Sequence, residues 1–173
     1  MRGRIVLVDS GWFATNIAGT GGGALDLLEV KLASTQFAFI LSAKICQSSE
    51  ETASNVAEIK AAIKRGSGSY TSGSSSGGSG GNAITTKGGT DQPSVGFASA
   101  LYNNKVQATA GSGALEVLLP GTVNVRAGEW ENTYIPELAP YLLPSQGVIL
   151  SLDETNNENI TYRAMLQLEV FGP

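Results

Sequence analysis

The sequence contains no histidine. That removes the imidazole base of Ser-His-Asp and Cys-His nucleophile systems and the imidazole ligands of zinc sites. It contains one cysteine, Cys46, so no disulfide can form within the chain and a disulfide-stapled secreted scaffold is excluded. Charge is scarce too. Charged residues make up 15% of the chain, where about a quarter is usual. The net charge is −4, and the basic residues are scattered, with only Lys60, Lys64 and Arg65 close together beside Glu58. A chain without a basic stripe has no electrostatic footprint for nucleic acid, and no nucleic-acid partner is expected. No apolar run approaches the roughly 18 residues of a membrane span, so no membrane partner is expected either. Ile5 to Val8 is too short an apolar run before Asp9 to read as a signal peptide, and folding in a cytosol is expected.

What is present is apolar, small and turn-forming. The 173 residues are 42% apolar and include 22 glycines. A chain of this length can bury roughly 70% of the surface its unfolded form exposes, enough for one domain spanning 1–173. Strand signals recur at short, turn-bounded intervals. Arg4 to Val8 opens an N-terminal strand or arm over 1–23, which ends at the Gly-rich joint Gly19 to Gly23. Leu25 to Leu32 follows, with Asp26, Glu29 and Lys31 marking its solvated side. Gln36 to Ile45 is a continuous β-branched and aromatic run and reads as the central strand. Ser48 to Arg65 fits a helical spacing at Val56, Ile59 and Ile63, and also a period of two from Ala57 to Ile63. A turn to Asn55 and then a strand is favoured. Further strands are read at Ser94 to Leu101, Ala114 to Leu119, Trp130 to Ile135, Val148 to Leu152 and Ile160 to Phe171. Eight or nine such strands predict an all-β fold, an antiparallel β-sandwich of jelly-roll type.

Residues 66–81 are all Gly or Ser except Tyr70 and Thr71, and the loop-like composition continues to Pro93. A Gly/Ser-rich loop over 66–93 has almost no apolar side chain to hold itself down. It reads either as a solvated linker or as an arm lying on another subunit. In the second case Tyr70 and Ile84 are its anchors, and the sandwich survives without it.

Candidate chemistry is sparse. Glu129 and Glu131 are two apart on a strand, which places both carboxylates on one face about 7 Å apart, within the range of an inverting glycosidase pair. Flanking Trp130, they equally describe a solvated sheet face. Cys46 reads as a buried small hydrophobe. Asp153 to Asn159 concentrates oxygen ligands in a turn but lacks a calcium-loop spacing. Gly19 to Gly23 is not followed by the Lys-Ser/Thr of a phosphate loop. No catalytic residue, metal or cofactor is expected. Trp130 and Tyr134, on one strand face, are candidates for stacking on a sugar or on protein. The segment Tyr134 to Leu143, with Tyr141 in it, reads as exposed apolar surface.

The order of segments is itself informative. Phe39 to Glu50 ends in Gln-Ser-Ser-Glu, a strand ends in Ile63-Lys64-Arg65-Gly66, and the Gly/Ser tract follows. Next come Gly96-Phe97 to Asn103-Asn104 and Val123-Asn124-Val125-Arg126-Ala127-Gly128-Glu129-Trp130. Over residues 24–172 this resembles a family of small structural proteins encoded in tailed-phage and prophage genomes. Glu50 stands where that pattern often has Asp, and Glu129 is an extra residue before Trp130. The resemblance implies a non-enzymatic virion protein, foremost a head decoration (cement) protein on the capsid exterior, made in the host cytoplasm. It would be a homotrimer bound to the major capsid protein, with Tyr70, Ile84, Trp130, Tyr134 and Tyr141 as assembly contacts. A tail, baseplate or fibre component and a carbohydrate-binding jelly roll are the alternatives.

Overall fold

Alternation of apolar and polar residues organises most of the chain into extended segments, and a computed structural model shows them. It describes residues 3–15, 25–48, 58–75, 79–80, 82–83, 87–88, 96–112, 114–124, 129–153 and 160–172. In chain order the strands are β1 (Arg4–Asp9), β2 (Phe13–Thr15), β3 (Leu25–Lys31), β4 (Phe37–Gln47) and β5 (Glu58–Gly66). Four two-residue strands follow, β6 (Ser74–Ser75), β7 (Ser79–Gly80), β8 (Asn82–Ala83) and β9 (Lys87–Gly88). The chain then forms β10 (Ser99–Asn104), β11 (Glu116–Asn124), β12 (Glu129–Thr133), β13 (Tyr141–Leu142), β14 (Gly147–Leu152) and β15 (Ile160–Phe171). The only helical element among the described residues is a single 3₁₀ turn, Pro136–Leu138.

Two antiparallel sheets result. In sheet one the order is β12-β4-β15-β1-β9, with β13 also pairing β4 and β2 pairing β15. In sheet two it is β11-β5-β14-β3-β10-β8, and β6-β7 form a separate ribbon. Eight of these strands alternate between the layers as β1-β15-β4-β12 over β3-β14-β5-β11. That is the double Greek key of a jelly roll. The fold expected from the sequence is therefore the fold found. Residues between β5 and β11 form an insertion, whose β10 extends sheet two beyond β3. The strand expected at Ser94 to Leu101 lies a few residues later, at Ser99–Asn104. The turn expected at Ser48 to Asn55 falls largely outside the described residues.

The inner faces of the sheets share one core. From sheet one come Val6, Val8, Ile40, Ile45, Tyr162, Leu166 and Leu168, and from sheet two Leu25, Leu27, Leu28, Ile59, Ile63, Val148 and Leu150. Strand β15 shows the period most cleanly, with every second residue from Ile160 to Val170 buried. Strand β14 breaks it and is buried at all six positions. A strand buried on both sides must be covered on its outer face as well.

At one edge the layers are joined by Trp130. Its indole lies over Gly121 of β11, where a Cβ would come within 2.7 Å of the ring nitrogen. Only a residue without a side chain lets the ring cross from sheet one onto sheet two. Gly121→Val is therefore expected to displace Trp130 and lower stability by about 1–3 kcal/mol. Denaturant unfolding checks this, together with a red shift of the tryptophan fluorescence at constant fold.

Candidate functional site

Two carboxylates sit where the sequence pattern expects none to be buried. Asp26 and Glu29 are three apart on β3, a spacing that puts side chains on opposite faces of a regular strand. A register shift opposite Leu150/Ser151 leaves Leu27 as an extra residue in β3. With this bulge Leu27 and Leu28 both enter the core, while Asp26 and Glu29 turn to the outer face of sheet two. That face was expected to be solvated. Instead Asp26 and Glu29 are fully buried, because the insertion folds back over it.

Two legs of the insertion make the cover. Thr71 and Thr109 exchange backbone hydrogen bonds of 2.9 Å, tying residues 67–73 to residues 104–109. Tyr70 lies flat on the sheet, where a Cβ on Gly66 or Gly147 would strike its ring at 2.5 Å or less. With Ala108, Ile149 and Leu115 it forms a second, smaller apolar cluster. The Tyr70 hydroxyl donates to Glu29 Oε1 at 2.9 Å, while Gly73 N–H and Asn104 Nδ2 donate to Oε2 at 2.9 and 3.1 Å. Asp26 accepts from Ala108 N–H at 2.6 Å and from Gln107 Nε2 at 3.2 Å. Burial pushes the Asp26 carboxyl up to about 7, aided by the neighbouring Glu29 charge and opposed by the Ala108 hydrogen bond and Lys64. Burial and Glu29 also push the Tyr70 phenol up, so it remains a donor. Lys31 Nζ reaches the Tyr70 carbonyl at 3.3 Å and lies 4.5 Å from its ring centroid.

The outer face of sheet one is divided along its length. At one end Arg163 pairs with Asp9, and Lys44 lies between Glu129 and Glu131. At the other, Phe37 stacks on Phe171 with centroids 4.6 Å apart and Phe39 packs edge-on against both. Register places Ile5, Glu169, Phe39 and Tyr141 in one row across β1, β15, β4 and β13. Beside this row the chain continues as an exposed apolar segment. Ile135 is 60% exposed, Leu138 71%, Tyr141 52% and Leu143 50%.

The residues singled out from the sequence fall in different places. Tyr141 is exposed in that apolar segment, with Arg65 over its ring at 5.6 Å. Tyr70 is not an anchor for a neighbour: it is 3% exposed and committed to its own sheet. The leg that carries it does not leave the sandwich, and removing it would strip the cover from two buried acids. Ile84 lies outside the described residues, as do Gly19 to Gly23 and the turn after Asp153. Asp153 itself pairs with Lys64 at 2.6 Å. Trp130 and Tyr134 do not form an outward platform. They face inward and pack on the core, and burial pushes the Tyr134 phenol up. Glu129 and Glu131 form an ion-pair ladder with Lys44 on a solvated face, where hydrogen bonding to Glu129 raises the Lys44 ammonium. Cys46 belongs to that outer face, half-buried beside Lys44 and Arg163, rather than to the core. Among the described residues no group of His, Cys, Asp and Glu is arranged to hold a metal ion. No helix there is long and apolar enough to cross a membrane.

No protein-family model matches the chain, and no curated protein matches it. Among solved structures it overlaps that of the infectious bursal disease virus Gx strain at 12% identity and a TM-score of 0.23, covering 100% of this chain and 43% of that one. It overlaps the infectious bursal disease virus VP2 subviral particle at 9% identity and a TM-score of 0.24, covering 99% and 43%. The chain thus spans less than half the length of either, and overlap at this level carries no argument about shared ancestry or role.

Tyr70→Phe is expected to cost about 1–3 kcal/mol, because Glu29 Oε1 then loses its donor while remaining buried. A double-mutant cycle with Glu29→Ala, read by urea unfolding, should return a coupling between the two positions of about 1 kcal/mol, the worth of one hydrogen bond.

Proposed function

We propose that this chain is a non-enzymatic structural protein of a phage virion, a single-domain capsid decoration protein that self-associates as a homotrimer and binds the major capsid protein. The observation that carries the reading is the set of exposed apolar side chains Ile135, Leu138, Tyr141 and Leu143, of which Tyr141 pairs in register with Phe39 at the aromatic end of sheet one. Large side chains left half or more in water along one edge are the mark of a surface that another protein covers. Three further features support it. The jelly roll gives a rigid plate with two broad faces. The charged end of the same face carries ion pairs that suit the rim of such a contact. The sequence resembles phage structural proteins in the order of its segments.

Attachment would bury Leu138, Tyr141 and Phe37 against the partner and leave the Lys44–Glu129–Glu131 ladder at the wet margin. A catalytic role for that ladder is not favoured, since Lys44 bridges the two carboxylates that a glycosidase would keep apart for water. A sugar-binding platform is not favoured either, because Trp130 and Tyr134 are turned toward the core.

Each large apolar side chain fully covered on association contributes about 1.5–3 kcal/mol. The double variant Leu138→Asp/Tyr141→Asp is therefore expected to weaken binding to shells assembled from the major capsid protein by at least tenfold, with the thermal midpoint of the isolated protein nearly unchanged. Co-sedimentation and light scattering provide the check. Binding and oligomeric state both unaffected would overturn the reading. Glu129→Gln/Glu131→Gln should leave attachment intact.

A further inference from the structure

The cage around Asp26 and Glu29 has an imbalance that the assembly reading does not use. Both carboxylates are buried on one strand, and the five donors that reach them are neutral: a phenol, two backbone N–H groups and two side-chain amides. The charged groups facing the cage are few. On β3 itself Lys31 is engaged by the Tyr70 carbonyl and ring. From β5, Lys64 is paired with Asp153. The first leg of the insertion contributes Tyr70, and the second presents only the uncharged Asn104, Gln107 and Ala108. Burial, with the Glu29 carboxylate close by, therefore favours the neutral form of the Asp26 carboxyl.

We propose that residues 67–73 and 104–109 form a latch over sheet two that is closed while the caged Asp26 keeps its proton and loosens when Asp26 ionises beside Glu29. In the closed state one Asp26 oxygen accepts from Ala108 N–H. The other carries the proton and donates to the Gln107 amide oxygen once that amide turns over. Opening brings water to both carboxylates and frees Tyr70 from Gly66 and Gly147, while the core between the sheets is untouched.

The sign follows from the direction of the shift. A carboxyl held up to about 7 in the closed state and near its ordinary value of about 4 when open favours closure at low pH. That preference is complete below about pH 4 and is lost as pH rises toward 7. Nuclear magnetic resonance hydrogen exchange on the full chain tests this, with protection corrected for intrinsic exchange. Between pH 6 and pH 8 the Gly73 and Ala108 amides should lose about tenfold in protection while the Ile45 and Leu166 amides keep theirs. Asp26→Asn should abolish the difference. Unchanged protection at Gly73 and Ala108, loss in step with the core amides, or a pH dependence that persists in Asp26→Asn would each overturn the proposal. Should that variant fail to fold, titration of the Asp26 carboxyl carbon in the native chain decides. A midpoint above 6 supports the latch, and one below 6 refutes it.

Discussion

Burying two carboxylates on one strand is the constraint around which sheet two is arranged. A buried carboxylate without donors would cost several kcal/mol, so the chain must bring polar groups to it from elsewhere. Here they come from residues far away in sequence, at Tyr70, Gly73, Asn104, Gln107 and Ala108. Meeting that demand fixes where both legs of the insertion lie. It also explains why β14 is buried on both faces and why Gly66 and Gly147 have no side chain beneath the tyrosine ring. The insertion is part of the fold rather than an ornament on it.

The two outer faces of the sandwich thus have different uses. The outer face of sheet two is covered by the insertion over β3 and β14, while Lys60 on β5 and Pro120 on β11 stay exposed. That of sheet one is left uncovered by the described residues, with paired charges at one end and stacked aromatic rings at the other. On the assembly reading, the contact uses the sheet-one face, whose apolar end is left in water.

How much of this could be read from the sequence depends on whether a segment's environment is set locally. Strand β15 was legible because every second residue from Ile160 to Val170 faces the core and the intervening ones do not. The jelly-roll class followed from many such segments. The outer side of β3 was not legible, since Asp26, Glu29 and Lys31 look solvated until the insertion covers them. One signal was present: two acids three apart in a run of leucines fit a single face only if the strand carries a bulge. Tyr70, the one aromatic residue in a Gly/Ser tract, was recognised as an anchor, but composition says nothing about whether its seat is on a neighbour or on the chain itself. Trp130 was misplaced for a related reason, because the space over Gly121 that admits it comes from a strand of the other sheet.

The pairing of β1 with β15, from Arg4↔Val170 to Asp9↔Met165, has a consequence for how the molecule forms. Contacts between residues so far apart in sequence carry a large loop-closure entropy, and folds dominated by them assemble slowly. On a ribosome, β1 emerges before the other strands of sheet one and must wait for β15 before its inner edge is covered, while β4 waits for the same strand. Sheet one therefore closes only after β15 has been made. Until then Val6, Ile40 and Ile45 face water on the unfinished plate, which makes the nascent chain, rather than the finished protein, the state most exposed to misassembly.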